Sequence, residues 1–256
     1  MNLIEYSRMY ESEERHWWYV GLHRLILAAV RKEVSRQGRM LKIFDAGCGT
    51  GRLCQLLKIS GHHVTGCDAS DEAIRFCRLR GLDGVIMADL NDIELEPESF
   101  DIITSVDVLY HEGITDDGAV LEKFHNALKP GGLLILNLVA HEFLRSTHDI
   151  AVHTRERYTR SILEQKLRGA GFEIIATSYR VSILFPLIAA FRIIKRIFHR
   201  HNSDSSKISS DVSLPNSFTN GLLLKILTLE NRMILSGISL PVGSSVYSEA
   251  RKVRGI

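Results

Sequence analysis

The chain has 256 residues, 45% hydrophobic and 24% charged, with a net charge of +2. That composition belongs to a folded chain with a core and excludes a disordered or low-complexity one. The charge is too small to suggest nucleic acid by itself, and four cysteines with no C-x-x-C pair point to reduced thiols rather than disulfides or zinc.

Residues 10–31 read as a helix with a dense aromatic centre at Trp17, Trp18 and Tyr19. Two roles stay open for it: packing the helix on a sheet edge, or closing over a pocket as a lid, where an aromatic face suits a cation. Glu5, Glu11, Glu13 and Glu14 argue against a secretory signal. Next, Ile43-Phe44-Asp45-Ala46-Gly47-Cys48-Gly49-Thr50-Gly51 is an apolar run that ends in an acid and three alternate glycines. It predicts a buried strand, a tight turn and a helix start. Glycine is needed where backbone turns sharply or passes close to a ligand. The spacing G-x-G-x-G differs from the dinucleotide fingerprint G-x-G-x-x-G.

A second short run, Val64–Asp68, ends in an acid 23 residues beyond Asp45, and Val85–Asp89 repeats the pattern. Phe100–Asp107 is a fourth strand. Lys129-Pro130-Gly131-Gly132 leads into a fifth at Leu133–Leu138. Helical stretches lie near 51–59, 71–80 and 117–128. Strands alternating with helices predict βαβ units and a parallel sheet. Asp68 and Asp89, taken singly, suit helix capping or turns. As a pair at consecutive strand ends after a glycine loop, they suit a nucleoside pocket, since a carboxylate accepts two hydrogen bonds at once.

After the fifth strand, residues 141–159 form the most polar stretch, with three of the 11 histidines. Thr159 is expected to cap a helix over 160–169, with Leu163 and Leu167 facing inward. A sixth strand is expected near 172–179. In 183–200, Leu187, Phe191, Ile194 and Phe198 share a helical face, with Arg192, Lys195, Arg196, His199 and Arg200 on a basic side. Its apolar run is too short to span a bilayer, so it either lies on an anionic membrane, guards an apolar pocket or packs on its own domain. Residues 201–220 read as a loop, 222–235 as a helix and 241–252 as a last strand.

As a set, D-A-G-C-G-T-G, G-C-D-A-S, A-D-L, F-D-I-I-x-x-x-D-V-L-Y-H and L-K-P-G-G-L-L-I-L resemble the class I S-adenosylmethionine-dependent methyltransferases over about residues 40–180. Two further stretches, His16-Trp17-Trp18 and His148–Thr159 (H-D-x-x-x-H-x-x-R-x-Y-T), are similar to a bacterial small-molecule subgroup. The resemblance implies an α/β fold: a seven-stranded, mostly parallel, doubly wound sheet with an N-terminal helical lid and a helical cap before the last strand. The expected divisions are 1–38 for the lid, 39–180 for the cofactor-binding core, 181–240 for the cap with its loop and 241–256 for the final strand, which inserts antiparallel between the fifth and sixth.

The same resemblance implies a cofactor set. Asp45, Gly47, Cys48, Gly49 and Gly51 belong to the glycine loop under the methionine part. Asp68 with Ala69 holds the ribose, and Asp89 with Leu90 meets adenine. Ser105 and Val106 end strand four near the sulfonium, and Trp17 closes the pocket. Family members often carry Glu before the strand-four His, where this chain has Tyr110-His111.

Methyl transfer needs alignment, exclusion of water and, for a hydroxyl or amine, a base near the operating pH. The candidates are His153 first, then His111 and His148, with Tyr158 orienting the acceptor. No metal is expected. The reading is a methyltransferase of a small or lipid-linked metabolite, with oxygen as the target atom, in the cytoplasm or associated with membrane. Membrane contact through 183–200 and a homodimer stay open as partners, and nucleic acid is not expected. The rivals are a protein or RNA methyltransferase and a non-catalytic cofactor-binding partner.

Overall fold

The computed structural model of the protein describes residues 3–199 and 214–253. Its strands are β1 (Lys42–Ala46), β2 (His63–Asp68), β3 (Val85–Met87), β4 (Phe100–Val106), β5 (Leu128–Val139), β6 (Phe172–Arg180) and β7 (Ser245–Lys252). They form one sheet in the order β3-β2-β1-β4-β5-β7-β6. β1 to β5 pair in parallel, and β7 runs antiparallel to both β5 and β6, as expected for the last strand.

Successive side chains of a strand point to opposite faces, and here both faces are covered. Phe44, Ile103, Leu134 and Leu136 pack under α5 (Asp117–Ala127) and α7 (Arg160–Gly169), through Leu121, Phe124, Leu163 and Leu167. Ile43, Ile102, Leu133 and Ile135 face the other way, against α2 (Trp17–Gln37). α2 therefore does more than cover a pocket. Its Leu22, Leu25, Ile26, Ala29 and Val30 are buried core, and its aromatic first turn projects beyond the sheet.

The expected helix over 10–31 is two helices, α1 (Leu3–Ser12) and α2. The break falls at His16, whose extended backbone (φ −66°, ψ 127°) caps α2 and whose Nδ1 accepts from the Trp18 amide at 3.3 Å. α3 (Arg52–Ile59) and α4 (Asp71–Leu79) follow β1 and β2. α8 (Phe185–His199) and α9 (Ser217–Leu235) lie between β6 and β7. α9 packs on α2 at Gly21, where an added Cβ would sit 2.7 Å from Leu227 Cδ1. Asn220 ties the two together, accepting from the Trp17 amide (2.9 Å) and donating to the Arg15 carbonyl (2.8 Å). The stretch 201–213 of the expected loop lies outside the described residues, as do the side chains of 193–199, including Ile194, Phe198 and the basic residues among them. Among the described residues, no helix is long and apolar enough to cross a membrane.

Candidate active site

The carboxyl ends of β1, β2 and β4 meet where an open α/β sheet binds ligands. After β1 the backbone reverses through Gly47 (φ 77°), whose amide, like that of Cys48, donates to the Cys67 carbonyl at 2.9 Å. A Cβ on Gly47 would stand 2.3 Å from Val108 Cγ2, so both the conformation and the space require glycine. Gly49 then approaches β2, and its amide donates to Asp68 Oδ2 at 2.9 Å. Asp68 Oδ1 accepts from the Ser70 amide (3.0 Å) and the Tyr6 hydroxyl (3.3 Å). Burial pushes the Asp68 carboxyl upward, and the amides of Ser70 and Gly49 oppose it.

α1 is fastened over this loop. Glu13 pairs with Arg80 (2.7 Å, both side chains 4% exposed) and receives the Thr50 hydroxyl. Burial pushes the Glu13 carboxyl up to about 7, against Thr50 and Arg80. Beneath the loop Asp45 is 2% exposed. Its Oδ1 accepts from Thr104 Oγ1 (2.6 Å) and its Oδ2 from Cys54 Sγ (3.3 Å). Burial moves it to about 6, against those two bonds.

One cavity of about 1110 Å³ runs from this loop outward to α8. Of the expected cofactor set, Asp45, Gly47, Cys48, Gly49, Asp68, Ala69, Asp89, Leu90, Val106 and Trp17 line it. Asp89 is exposed at the far end, and its Oδ1 accepts from the backbone and side-chain amides of Asn91 (2.8 and 2.7 Å).

Two members of the set lie elsewhere. Gly51 starts α3 at φ 82° and faces Leu82 and Cys77, where a Cβ would sit 2.6 Å from Leu82 Cδ1; it shapes the turn from behind. Ser105 is fully buried, pointing away from the cavity that its neighbour Val106 lines. The alternation of side chains along β4 puts these two on opposite faces.

The acid–base candidates separate more sharply. His111 lines the cavity, stacked on His153 with ring centroids 5.9 Å apart. Burial pushes His111 down to about 4. His153 lies at the rim, 42% exposed, with Nδ1 3.5 Å from Glu112 Oε2, and does not line the cavity. The side chain of His148 is outside the described residues. Tyr158 is 1% exposed and away from the cavity, its hydroxyl donating to Asp117 and Glu156 (2.9 Å to the latter). It braces the α5–α7 layer and does not reach an acceptor there. Arg157 of the same polar stretch does reach the cavity, but its guanidinium is held by Asp149 (2.8 and 3.1 Å) and the Ala140 carbonyl (2.8 Å).

Among the lining residues that the sequence reading did not assign to the site are Tyr6, Glu13 and Asp107. Asp107 stands one residue past β4 at φ 58°. The acid in F-D-I-I-x-x-x-D was the available signal, but only its cavity position distinguishes it from a turn residue. Among the described residues, no group of three or more His, Cys, Asp or Glu could hold a metal ion.

Residues 44–136 match the family described as "Methyltransferase domain", a segment that holds the glycine loop, Asp68, Asp89 and the end of β4. The chain is 34% identical over 125 residues to a ubiquinone biosynthesis O-methyltransferase of Xylella fastidiosa strain M23, covering 46% of this chain and 49% of that protein. The chain thus spans about half the length of that relative. Among solved structures, the S-adenosylmethionine-dependent methyltransferase of Mesorhizobium loti shares the fold at 18% identity and a TM-score of 0.53, covering 82% of this chain and 90% of that one. A SAM-dependent methyltransferase of Archaeoglobus fulgidus does so at 15% identity and a TM-score of 0.56, covering 90% and 94%. Residues 44–136 thus resemble a methyltransferase domain, and the chain as a whole shares the Rossmann-like fold of proteins whose cofactor is S-adenosylmethionine. The residues present fit that cofactor: a cradle at Gly47 with no room for a Cβ, a ribose-suited carboxylate at Asp68 and an aromatic first turn beside them.

Proposed function

We propose that this protein is an S-adenosylmethionine-dependent methyltransferase that methylates a small, partly apolar acceptor at oxygen. The observation that carries this reading is the single cavity with two unlike ends. The inner end holds Gly47, Gly49 and Asp68. The outer end is walled by Leu187, Ile188 and Phe191 of α8 with Val152 and Val181. At about 1110 Å³ it exceeds the roughly 300–1,000 Å³ of a site for one drug-sized ligand. That leaves room for an acceptor beside the cofactor.

When bound, the cofactor supplies an electrophilic methyl on a sulfonium. This chain's residues supply the rest. Asp68 takes a ribose hydroxyl on the Oδ2 lone pair left beyond those used by Gly49, Ser70 and Tyr6. Asp89, with Leu90 beside it, meets the adenine. Trp17 with α1 forms a lid that keeps water from the reacting atoms. From the stretch 141–159, Val152 and Arg157 line the cavity and frame the acceptor. The outer end suits an acceptor with an apolar tail, including a lipid-linked one, and Leu187 and Phe191 are 72% and 60% exposed at its mouth. The activity for which the Xylella relative is named, O-methylation in ubiquinone biosynthesis, is consistent with this class of acceptor. The divisions 1–38, 39–180, 181–240 and 241–256, the subgroup likeness of His16–Trp18, and a cytoplasmic or membrane-associated location belong to the same reading.

The test incubates pure protein and methyl-labelled cofactor with a metabolite extract of the source cell. Label in a small organic-soluble product is the expected result. Label in protein or RNA would put the macromolecular reading first. Cofactor binding with no label in any fraction would favour a non-catalytic partner.

A further inference from the structure

The structure assigns an acceptor-deprotonating role to Asp107, a residue outside the histidine candidates. We propose that its carboxylate takes the proton of the acceptor hydroxyl, and that Asn137 and Arg180 beneath it are positioning residues. This rests on the methyltransferase reading above.

Asp107 follows the last residue of β4 and lines the same cavity as the glycine loop and α8. Its left-handed backbone (φ 58°) is uncommon for a residue with a Cβ and is held by its amide, which donates to the Asn137 carbonyl at 2.8 Å. The side chain of Asn137, fully buried on β5, donates from Nδ2 to Asp107 Oδ1 at 3.1 Å. Its Oδ1 accepts from Arg180 Nη1 at 3.1 Å. A guanidinium has only donors, so the amide oxygen must face Arg180 and the NH₂ must face Asp107. The chain Arg180–Asn137–Asp107 is therefore polar in one direction. It engages one oxygen of Asp107 and leaves Oδ2 for the cavity.

Arg180 is 1% exposed, and among the described residues its Nε and Nη2 have no hydrogen-bond partner. A buried guanidinium with two unsatisfied nitrogens is costly, and packing alone does not require it. Its charge faces Asp107 and Glu230 of α9. Other titratable groups bearing on Asp107 are Arg157 from the polar stretch, Tyr19 from α2 and Tyr110 after β4. Burial pushes the Asp107 carboxyl up to about 7, while Arg180, Asn137 and Arg157 oppose it. A base near the operating pH is the effective one.

The alternatives within the cavity are weaker. Asp45 has both oxygens occupied and Glu13 is committed to Arg80 and Thr50. His111 and His23 are held by burial at about 4 and about 3, so each is a poor proton acceptor at neutral pH.

In the step, the acceptor O–H proton passes to Asp107 Oδ2 as the new O–CH₃ bond forms. The S–CH₃ bond breaks with its electron pair remaining on sulfur, and Asp107 later returns the proton to solvent.

The probe is 4-octylcatechol, whose hydroxyl and apolar tail suit the two ends of the cavity. Calorimetry gives the cofactor Kd of wild type, D107N and N137L. Carbon-13 NMR of labelled aspartates, compared with D107N, gives the Asp107 midpoint in cofactor-free protein. The expected results are a midpoint near 7 and wild-type methylation of the catechol rising with pH through the same range. D107N should keep its cofactor Kd within about threefold and lose roughly a hundredfold or more in kcat/KM, together with the rise near neutral pH. N137L should move the pH midpoint without moving the cofactor Kd. A midpoint below about 5, a D107N rate within threefold of wild type, or cofactor binding without turnover of the catechol would each overturn the proposal. Failure of the wild type to bind cofactor would overturn the methyltransferase reading instead.

Discussion

Replacing Asp68 by asparagine removes a charge while keeping the shape of the side chain. In the wild type both carboxylate oxygens accept: Oδ2 from the Gly49 amide at 2.9 Å, Oδ1 from the Ser70 amide at 3.0 Å and the Tyr6 hydroxyl at 3.3 Å. An asparagine has one accepting oxygen, so one of these faces becomes an NH₂ opposed to a donor. If the oxygen stays on the Ser70 side, the Gly49 amide loses its partner and the glycine loop loosens. If it turns the other way, Tyr6 and α1 are released. In either case the ribose hydroxyls meet a neutral group. A hydrogen bond to a charged group contributes roughly 1.5–3 kcal/mol, and each 1.4 kcal/mol is about tenfold in affinity. The cofactor Kd of D68N, measured by calorimetry at pH 7.5, should rise roughly ten- to a hundredfold. Thermal melts without cofactor separate this from loss of fold. A Kd within threefold of wild type, in a folded variant, would refute the assignment of Asp68 to the ribose.

Burial raises the Asp101 carboxyl, but Arg39, the Lys42 amide and Lys129 outweigh it and hold the group at about 2. The folded value lies below the unfolded one, so its stabilisation is present above pH ~4 and is lost as pH falls toward 2. Urea melts should show wild type losing about 2 kcal/mol more than D101N across that window; equal slopes would contradict it. Tyr158→Phe removes the hydroxyl held by Asp117 and Glu156 inside the α5–α7 layer. It should cost about 1–2 kcal/mol in denaturant melts and leave cofactor affinity unchanged, whereas a specific loss of turnover would restore Tyr158 as an acceptor-orienting residue. Gly21→Val drives a branched side chain into Leu227, which already stands 2.7 Å from an ideal Cβ. It should separate α9 from α2 and lower stability by roughly 1–3 kcal/mol, with the melting temperature as the readout.

Much of the architecture was legible because parallel strands buried on both faces leave short apolar runs, and each βαβ connection leaves turn residues between them. Ile43–Gly51, Val64–Asp68 and Phe100–Val106 are such runs, and local sequence determined where each strand ends and which acid stands there. The glycine loop was readable for the same reason: at Gly47 the backbone conformation itself demands glycine.

The split of the N-terminal helix was harder. Residues 10–16 carry helix-compatible side chains, and only the cap at His16, fixed by contact with α9 through Asn220, ends α1 and starts α2. Which polar residues face the cavity was a tertiary matter throughout. Tyr158 and Arg157 are adjacent in a stretch that looks like a substrate wall, yet one is sealed under α5 and the other reaches the cavity tied to Asp149. Ser105 and Val106, one residue apart, fall on opposite faces of β4. Asp107 looked like a strand-ending acid. Its distinct environment is made by Asn137 and Arg180, 30 and 43 residues apart from their respective partners along the chain. The sequence by itself determined the sheet and the glycine-loop end of the pocket, because both depend on neighbours within a few residues. The acid–base chemistry was decided by the tertiary structure, because a carboxyl's proton affinity depends on the burial and charges that distant segments bring to it.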